Sequence, residues 1–275
     1  DIGGNPSRSW IFYPEETGIY FHELGHNLGV NHASSLDCIS PTNIITPIPS
    51  TEIQKDPAGF GSQCYRSEYG DPYEVMGYNI YSGNFNHFNA PHKEALHWLL
   101  PNKIQIASGS GTFRIFNQEE ILTGPQVLKI FKPDSLEYYF VSFRKATGFD
   151  SRLSQEVTNG VSIHIWNENP ARQTLLIDAT PQTTDTPDQI LSDGISFKDQ
   201  LNGIEIKQVS HDTNSATVEV TGATAIPRVE IRGNHVDGNG QSLKLPNHTV
   251  SINSPTSGYS GSSAQSPNFL LTNLL

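Results

Sequence analysis

At 275 residues and a formal net charge of -11, the chain is acidic enough to argue against nucleic acid or an anionic membrane as its partner. It has no run of eighteen apolar residues and no basic, apolar leader at Asp1. No membrane span is therefore expected, and any signal peptide is expected to have been removed or not included.

In chain order, Ser9 to Tyr13 (SWIFY) reads as one strand, and Pro14 to Thr17 as the turn that leads into a helix at about Gly18. That helix carries HELGHNLGVNH, from His22 to His32. Residues four apart share a helical face, so His22 and His26 can aim their imidazoles at one ion, about 2.0–2.1 Å from each nitrogen for zinc. His32 lies six residues beyond His26, an offset that points away from that face on a straight helix. The chain must therefore turn. Gly29 can supply the turn through the left-handed conformation that ends helices, bringing His32 back as a third ligand. Three histidines with one open position describe a catalytic zinc site, whereas a structural zinc fills all four positions with protein ligands. Glu23 follows His22 by one residue, where its carboxylate can act as general base toward a water that the ion activates.

Cys38 and Cys64 flank a loop rich in Pro, Ile, Thr and Gly. A disulfide between them is the expected state, restraining the loop by about 3 kcal/mol and implying an oxidising compartment. Two buried thiols, or a thiolate replacing a zinc ligand, are the alternatives, the latter poor because His32 already completes the site. Ala90 to Leu100 reads as a helix opened by Pro91, with Ala95, Leu96, Trp98 and Leu99 toward a core. His92 and His97 stand about 140° apart on it, so these two and His87 are expected to be surface or packing histidines.

From about Ile104 the pattern changes to strands: GTFRIF, QVLKIF, EYYFVSFR, GVSIHIW, TLLIDA, NGIEIKQV and SATVEV, separated by turn residues. Seven short strands at this spacing suggest an antiparallel sandwich. His164 falls on the opposite strand face from Ile163 and Ile165, and is expected to be a hydrogen-bonded surface histidine. The tail is polar, with strand-like RVEIR, SLKL and TVSI. Its HVDGNGQS turn (His235 to Ser242) and Asp178 are weak candidates for Ca2+, which prefers a denser set of carboxylates.

The zinc segment resembles the metzincin metalloproteases, whose pattern H-E-x-x-H-x-x-G-x-x-H is matched at every fixed position from His22 to His32. The resemblance implies a methionine turn beneath the metal, and the only methionine, Met76, stands in GDPYEVMGY; an ordinary core role is the alternative. Tyr78, two residues later, resembles the tyrosine that reaches the zinc in the astacin and serralysin branches and can hydrogen-bond an oxyanion. A half-buried phenol with a solvated hydroxyl is the other reading, and Tyr81 competes for the role. HELGHNLGVNHA, EYGDPYEVMG, FNAPHKEALHWL, GVSIHIW and LLIDATP together look like the gametolysin-like secreted peptidases, over roughly residues 9 to 220.

The resemblance and the strand pattern together give an expected α+β chain: a metzincin-like zinc catalytic part at 1–103, a β-sandwich domain at 104–222 and an appended β segment at 223–275. The resemblance implies a secreted, extracellular zinc endopeptidase acting on protein or peptide substrates such as matrix or cell-wall proteins. Metzincins place a twisted sheet ahead of the zinc helix, and only Asp1 to Phe21 precede His22. A separate N-terminal fragment of the same precursor is therefore an expected partner. The alternative function is a zinc-bearing binding module or adhesin whose cleft is incomplete.

Overall fold

The computed structural model describes residues 8–12, 15–38, 64–78, 86–120, 123–134, 137–167, 173–179, 189–199, 202–225, 231–234, 249–253, 260–264 and 268–271. They form a mixed α+β chain, rich in sheet and poor in helix. It divides into two compact units, residues 1–224 and 225–275. Among the described residues, no helix is long and apolar enough to cross a membrane.

In the first unit, helix α1 spans Thr17–Leu28 and is followed by strands β1 (Ala33–Cys38) and β2 (Cys64–Ser67). Helix α2 covers Ala90–Ala95, then come β3 (Ile104–Ala107), β4 (Gly111–Phe116), β5 (Val127–Lys132) and β6 (Glu137–Phe143). A one-turn helix α3 (Gln155–Thr158) precedes β7 (Gly160–Asn167) and β8 (Gln173–Ile177). Strands β9 (Leu191–Ser192), β10 (Ser196–Asp199), β11 (Ile204–His211) and β12 (Ser215–Thr221) complete the unit.

All seven strands expected between 111 and 221 are strands, because each alternates or runs apolar between turn residues. Their pairing is not uniformly antiparallel. One sheet runs β2-β1-β8-β7-β6-β5-β3 with β9 on β7, and the pairs β1·β8 and β3·β5 are parallel. Parallel neighbours need a long connection instead of a hairpin, and β1 and β8 are joined by most of the unit. The zinc segment and the strands after residue 104, read separately in the sequence, thus share one sheet. The second sheet, β10-β11-β12-β4, is antiparallel.

Strand alternation explains the layering. On β7, Val161, Ile163 and Ile165 enter one core together with Ile115, Phe197, Ile206, Val218 and Val220 of the second sheet. The opposite face is covered too. There Val127 of β5 and Phe140 of β6 pack with Ala90 and Leu99, and Tyr73 packs with Leu176 of β8. A sheet buried on both faces leaves no solvent side for the alternate residues.

Three local expectations differ from the structure. Residues 8–12 form no strand, and Tyr13 lies outside the described residues. Helix α2 stops at Ala95 instead of Leu100, since Leu96 caps it and His97 turns to φ 58°, a left-handed value that no helix continues through. Trp98 is accordingly exposed at 48 %, while Leu99 is buried.

The second unit holds β13 (Ile231–Asn234) paired with β16 (Asn268–Leu271), and β14 (Thr249–Asn253) with β15 (Ser260–Ala264), both antiparallel. The 235–242 turn weighed for Ca2+ and the SLKL segment lie outside the described residues.

Candidate metal centre

Gly29 ends α1 at φ 101°, ψ 20°, and its N–H donates to the carbonyls of Gly25 (3.1 Å) and His26 (3.0 Å). Only glycine takes this conformation without steric cost, and Val30 then donates back to Gly25 at 3.1 Å. The chain reverses into β1 with His32 just ahead of it. The His32 N–H donates to Asn31 Oδ1 at 2.8 Å, and its carbonyl accepts from Thr174 N at 3.3 Å.

His22, His26 and His32 come together so that one nitrogen from each lies within 4.8 Å of the others. The remaining nitrogens decide which atoms converge. His22 Nδ1 lies 3.0 Å from the Val75 carbonyl, His26 Nδ1 3.0 Å from the Val30 carbonyl, and His32 Nδ1 2.9 Å from Glu68 Oε1. These partners only accept, so each Nδ1 carries the proton and donates. The three Nε2 lone pairs are left facing one another, a mutually repulsive arrangement that a cation relieves. Outer-shell acceptors that fix tautomer and ring orientation are the usual support of histidine ligands.

Burial reinforces the neutral state. It pushes His22 from 6.5 down to about 4, against the Val75 hydrogen bond, which raises it. His32 is lowered as well, again chiefly by burial. Neutral imidazoles are the form that binds a metal. The donor set fits a borderline-soft divalent ion such as zinc.

Glu23 is half-buried on α1, next in chain to His22, and its carboxylate is not among the converging atoms. Met76 is fully buried with Val30, Ala33, Val75 and Phe88. Its carbonyl accepts from Ala33 N at 2.9 Å, which ties the methionine turn to the residue after His32. Tyr78 is 75 % exposed. The ring that lies against the histidines belongs to Tyr69, 4.0 Å from His32 and 5.9 Å from His22 between centroids. Tyr69 takes φ 62°, a left-handed value uncommon outside glycine and a mark of functional sites. Tyr81 lies outside the described residues.

The β1–β2 register sets Cys38 opposite Cys64. The side chains of both lie outside the described residues.

Glu68, Tyr69 and Gly25 were not singled out by sequence. The first two follow β2, and only the β1–β2 pairing brings them to His32. Gly25 was legible in principle as a small residue one step before His26. A Cβ there would collide with Met76 Sδ and stand 3.1 Å from both Met76 Cε and Phe88 Cε1. Gly25→Ala is therefore expected to destabilise the chain by about 1–2 kcal/mol through overpacking, although alanine is the better helix former by about 1 kcal/mol. Thermal unfolding checks this, and a rise in Tm would mean that Met76 does not occupy that space. Glu68→Ala should weaken zinc binding by about 10–100-fold, read by chelator competition. An unchanged affinity would deny Glu68 its role.

Two further histidines are buried: His164, expected at the surface, and His92, expected at the surface or in packing. His164 is 2 % exposed and its Nε2 lies 3.0 Å from Asp71 Oδ2, because the second face of the sheet is covered by the segment around Asp71. His92 is fully buried, with Nδ1 2.6 Å from Glu74 Oε1. Asp178, the other residue weighed for Ca2+, is buried, and its N–H donates to the Leu36 carbonyl at 3.1 Å. On another side of α1, Phe21, Leu24 and Leu28 join Val75, Phe88 and Trp98 in lining an open apolar pocket of about 180 Å³. No family model, curated relative or solved structure matches the chain, and the convergence of three neutral imidazoles carries the functional reading by itself.

Proposed function

We propose that the chain is a secreted zinc-dependent endopeptidase of the metzincin type, gametolysin-like, that hydrolyses peptide bonds of extracellular proteins. The observation that carries this reading is the convergence of His22, His26 and His32 with every Nδ1 engaged by an acceptor. A zinc ion in such a site supplies a Lewis acid that lowers the pKa of water and polarises a scissile carbonyl. His22, His26 and His32 would hold it as neutral Nε2 donors. Glu23 takes the proton of the attacking water and passes it to the leaving amine. Met76 packs beneath the ligands without binding the ion. Tyr78 is the candidate donor to the developing oxyanion; its exposure leaves it free to swing, while Tyr69 already shields the histidines.

We read the two sheets that share one core as a sandwich supporting the site, and the Cys38–Cys64 register as a seat for a disulfide. Substrates are matrix or cell-wall proteins. A second reading, a zinc-bearing binding module, is favoured by the exposed apolar face of α1 at Phe21, Leu24 and Leu28. Casein or gelatin zymography separates the two. The peptidase reading expects clearing that a chelator abolishes and zinc restores, whereas zinc uptake at one ion per chain without any clearing would select the binding module.

A further inference from the structure

Two carboxylates and two imidazoles are packed out of water behind the methionine turn: Asp71, Glu74 and His92 at zero exposure and His164 at 2 %. Burying charged or strongly polar groups this deeply costs more than burying apolar side chains of the same size, which would often leave a fold as stable or more so. Such a cluster calls for a reason other than stability, and its bonds supply one.

Asn89, the N-cap of α2, joins the parts. Its Nδ2 lies 3.3 Å from Asp71 Oδ2, 3.3 Å from Glu74 Oε2 and 2.7 Å from Thr174 Oγ1 of β8, while its Oδ1 accepts from His92 N at 3.1 Å. Asp71 also accepts from Tyr73 N at 2.9 Å and from His164 Nε2 on β7. The Nδ1 of His164 is buried with no partner among the described residues, so the proton sits on Nε2 and points at Asp71. Glu74 holds His92 through its side chain and Gly77 N through its carbonyl, at 3.0 Å. Gly77 folds so tightly onto the Asp71 carbonyl that a Cβ there would overlap it. The segment 71–77 is thus gripped from two strands and a helix. The backbone acceptor of this segment that meets a histidine side chain of the site is the Val75 carbonyl, next in chain to Glu74, which receives His22 Nδ1.

We propose that Asp71, Glu74 and Asn89 are positioning residues for the metal centre, fixing the Val75 carbonyl and through it the tautomer and aim of His22. The strands after residue 104 then take part in building the site, since His164 and Thr174 anchor the relay. The inference rests on the zinc reading and extends it from the ligands to the sheet behind them.

The test uses the full chain, with zinc affinity measured by chelator competition and the Co2+-substituted protein followed by its visible absorption. Glu74→Met should lower zinc affinity by about 10–100-fold and shift the cobalt bands. Glu74→Gln, which keeps an acceptor for His92, should recover most of the affinity. Should Glu74→Met fail to fold, Thr174→Val deletes a single hydrogen bond and should give a severalfold loss with the same spectral shift. Tyr139→Phe breaks a buried hydrogen bond of 2.7 Å to Asp199 elsewhere, and should lower Tm while leaving affinity and spectrum untouched. Folded Glu74→Met or Thr174→Val protein with wild-type affinity and an unshifted spectrum would overturn the relay. A wild-type chain that takes up no ion would overturn the zinc reading itself, and the relay with it.

Discussion

Glu23→Gln is expected to lower kcat by about 10²–10⁴-fold while leaving one zinc bound per chain. The substitution preserves size and removes only the ability to take a proton. Because the Glu23 carboxylate is not among the atoms that converge in the cluster, the three histidines keep their positions without it. Metal content and Co2+ absorption should match the wild type, so the defect falls on the chemical step and not on binding of the ion. A variant that retains appreciable turnover would sink the assignment of the general base. One that loses the ion as well would make Glu23 a support of the ligands instead.

Arg144→Leu should destabilise the chain by about 3–5 kcal/mol, the range for breaking a buried ion pair by deleting one partner. Arg144, the residue after β6, donates through Nε to Asp150 Oδ2 at 2.8 Å and through Nη2 to Asp150 Oδ1. The same guanidinium reaches the carbonyls of Tyr73 (2.8 Å) and His87 (3.0 Å), and Asp150 Oδ1 accepts from His87 N at 2.9 Å. Both side chains are at most 3 % exposed, so the loss leaves a buried carboxylate without its ion-pair partner and two carbonyls without the guanidinium donor. Urea unfolding reads the effect. The exposed Arg114–Asp212 pair is the control, and Arg114→Met should change little.

The pair also sets a pH dependence. Burial works to raise Asp150, but the Arg144 charge and hydrogen bond outweigh it and hold the carboxyl below its ordinary 3.8. A group depressed in the folded state contributes stability above its unfolded pKa and loses it as pH falls through the folded value. The contribution is therefore complete at neutral pH and fades only below about pH 4, and Arg144→Leu should remove that part of the acid transition.

The part of the site legible in the sequence was the part written in local geometry. His22 and His26 follow from helical spacing and His32 from the conformational freedom of Gly29, while Met76 came only from the resemblance, which implies a methionine turn beneath the site. The residues that hold these in place were hidden. Glu68 and Tyr69 become neighbours of His32 only through strand pairing, and His164 meets Asp71 across two distant segments. His164 is the instructive case: alternation gave its strand face correctly, but alternation cannot say whether that face is wet. The strands themselves were readable from their apolar pattern. Which neighbours they take was not, since the parallel pairs depend on connections far longer than any local signal.

That parallel pairing also governs timing. Helix α1 and its first two ligands can form from a short stretch of nascent chain, but β1, which begins one residue after His32, is seated beside β8 by the pairing of Ala33 with Thr174. Synthesis runs from the N-terminus, and contacts this distant in sequence close late in folding. The residue just after the third histidine is thus seated by a strand that emerges about 140 residues later, so His32 is expected to take its final place after His22 and His26 have taken theirs.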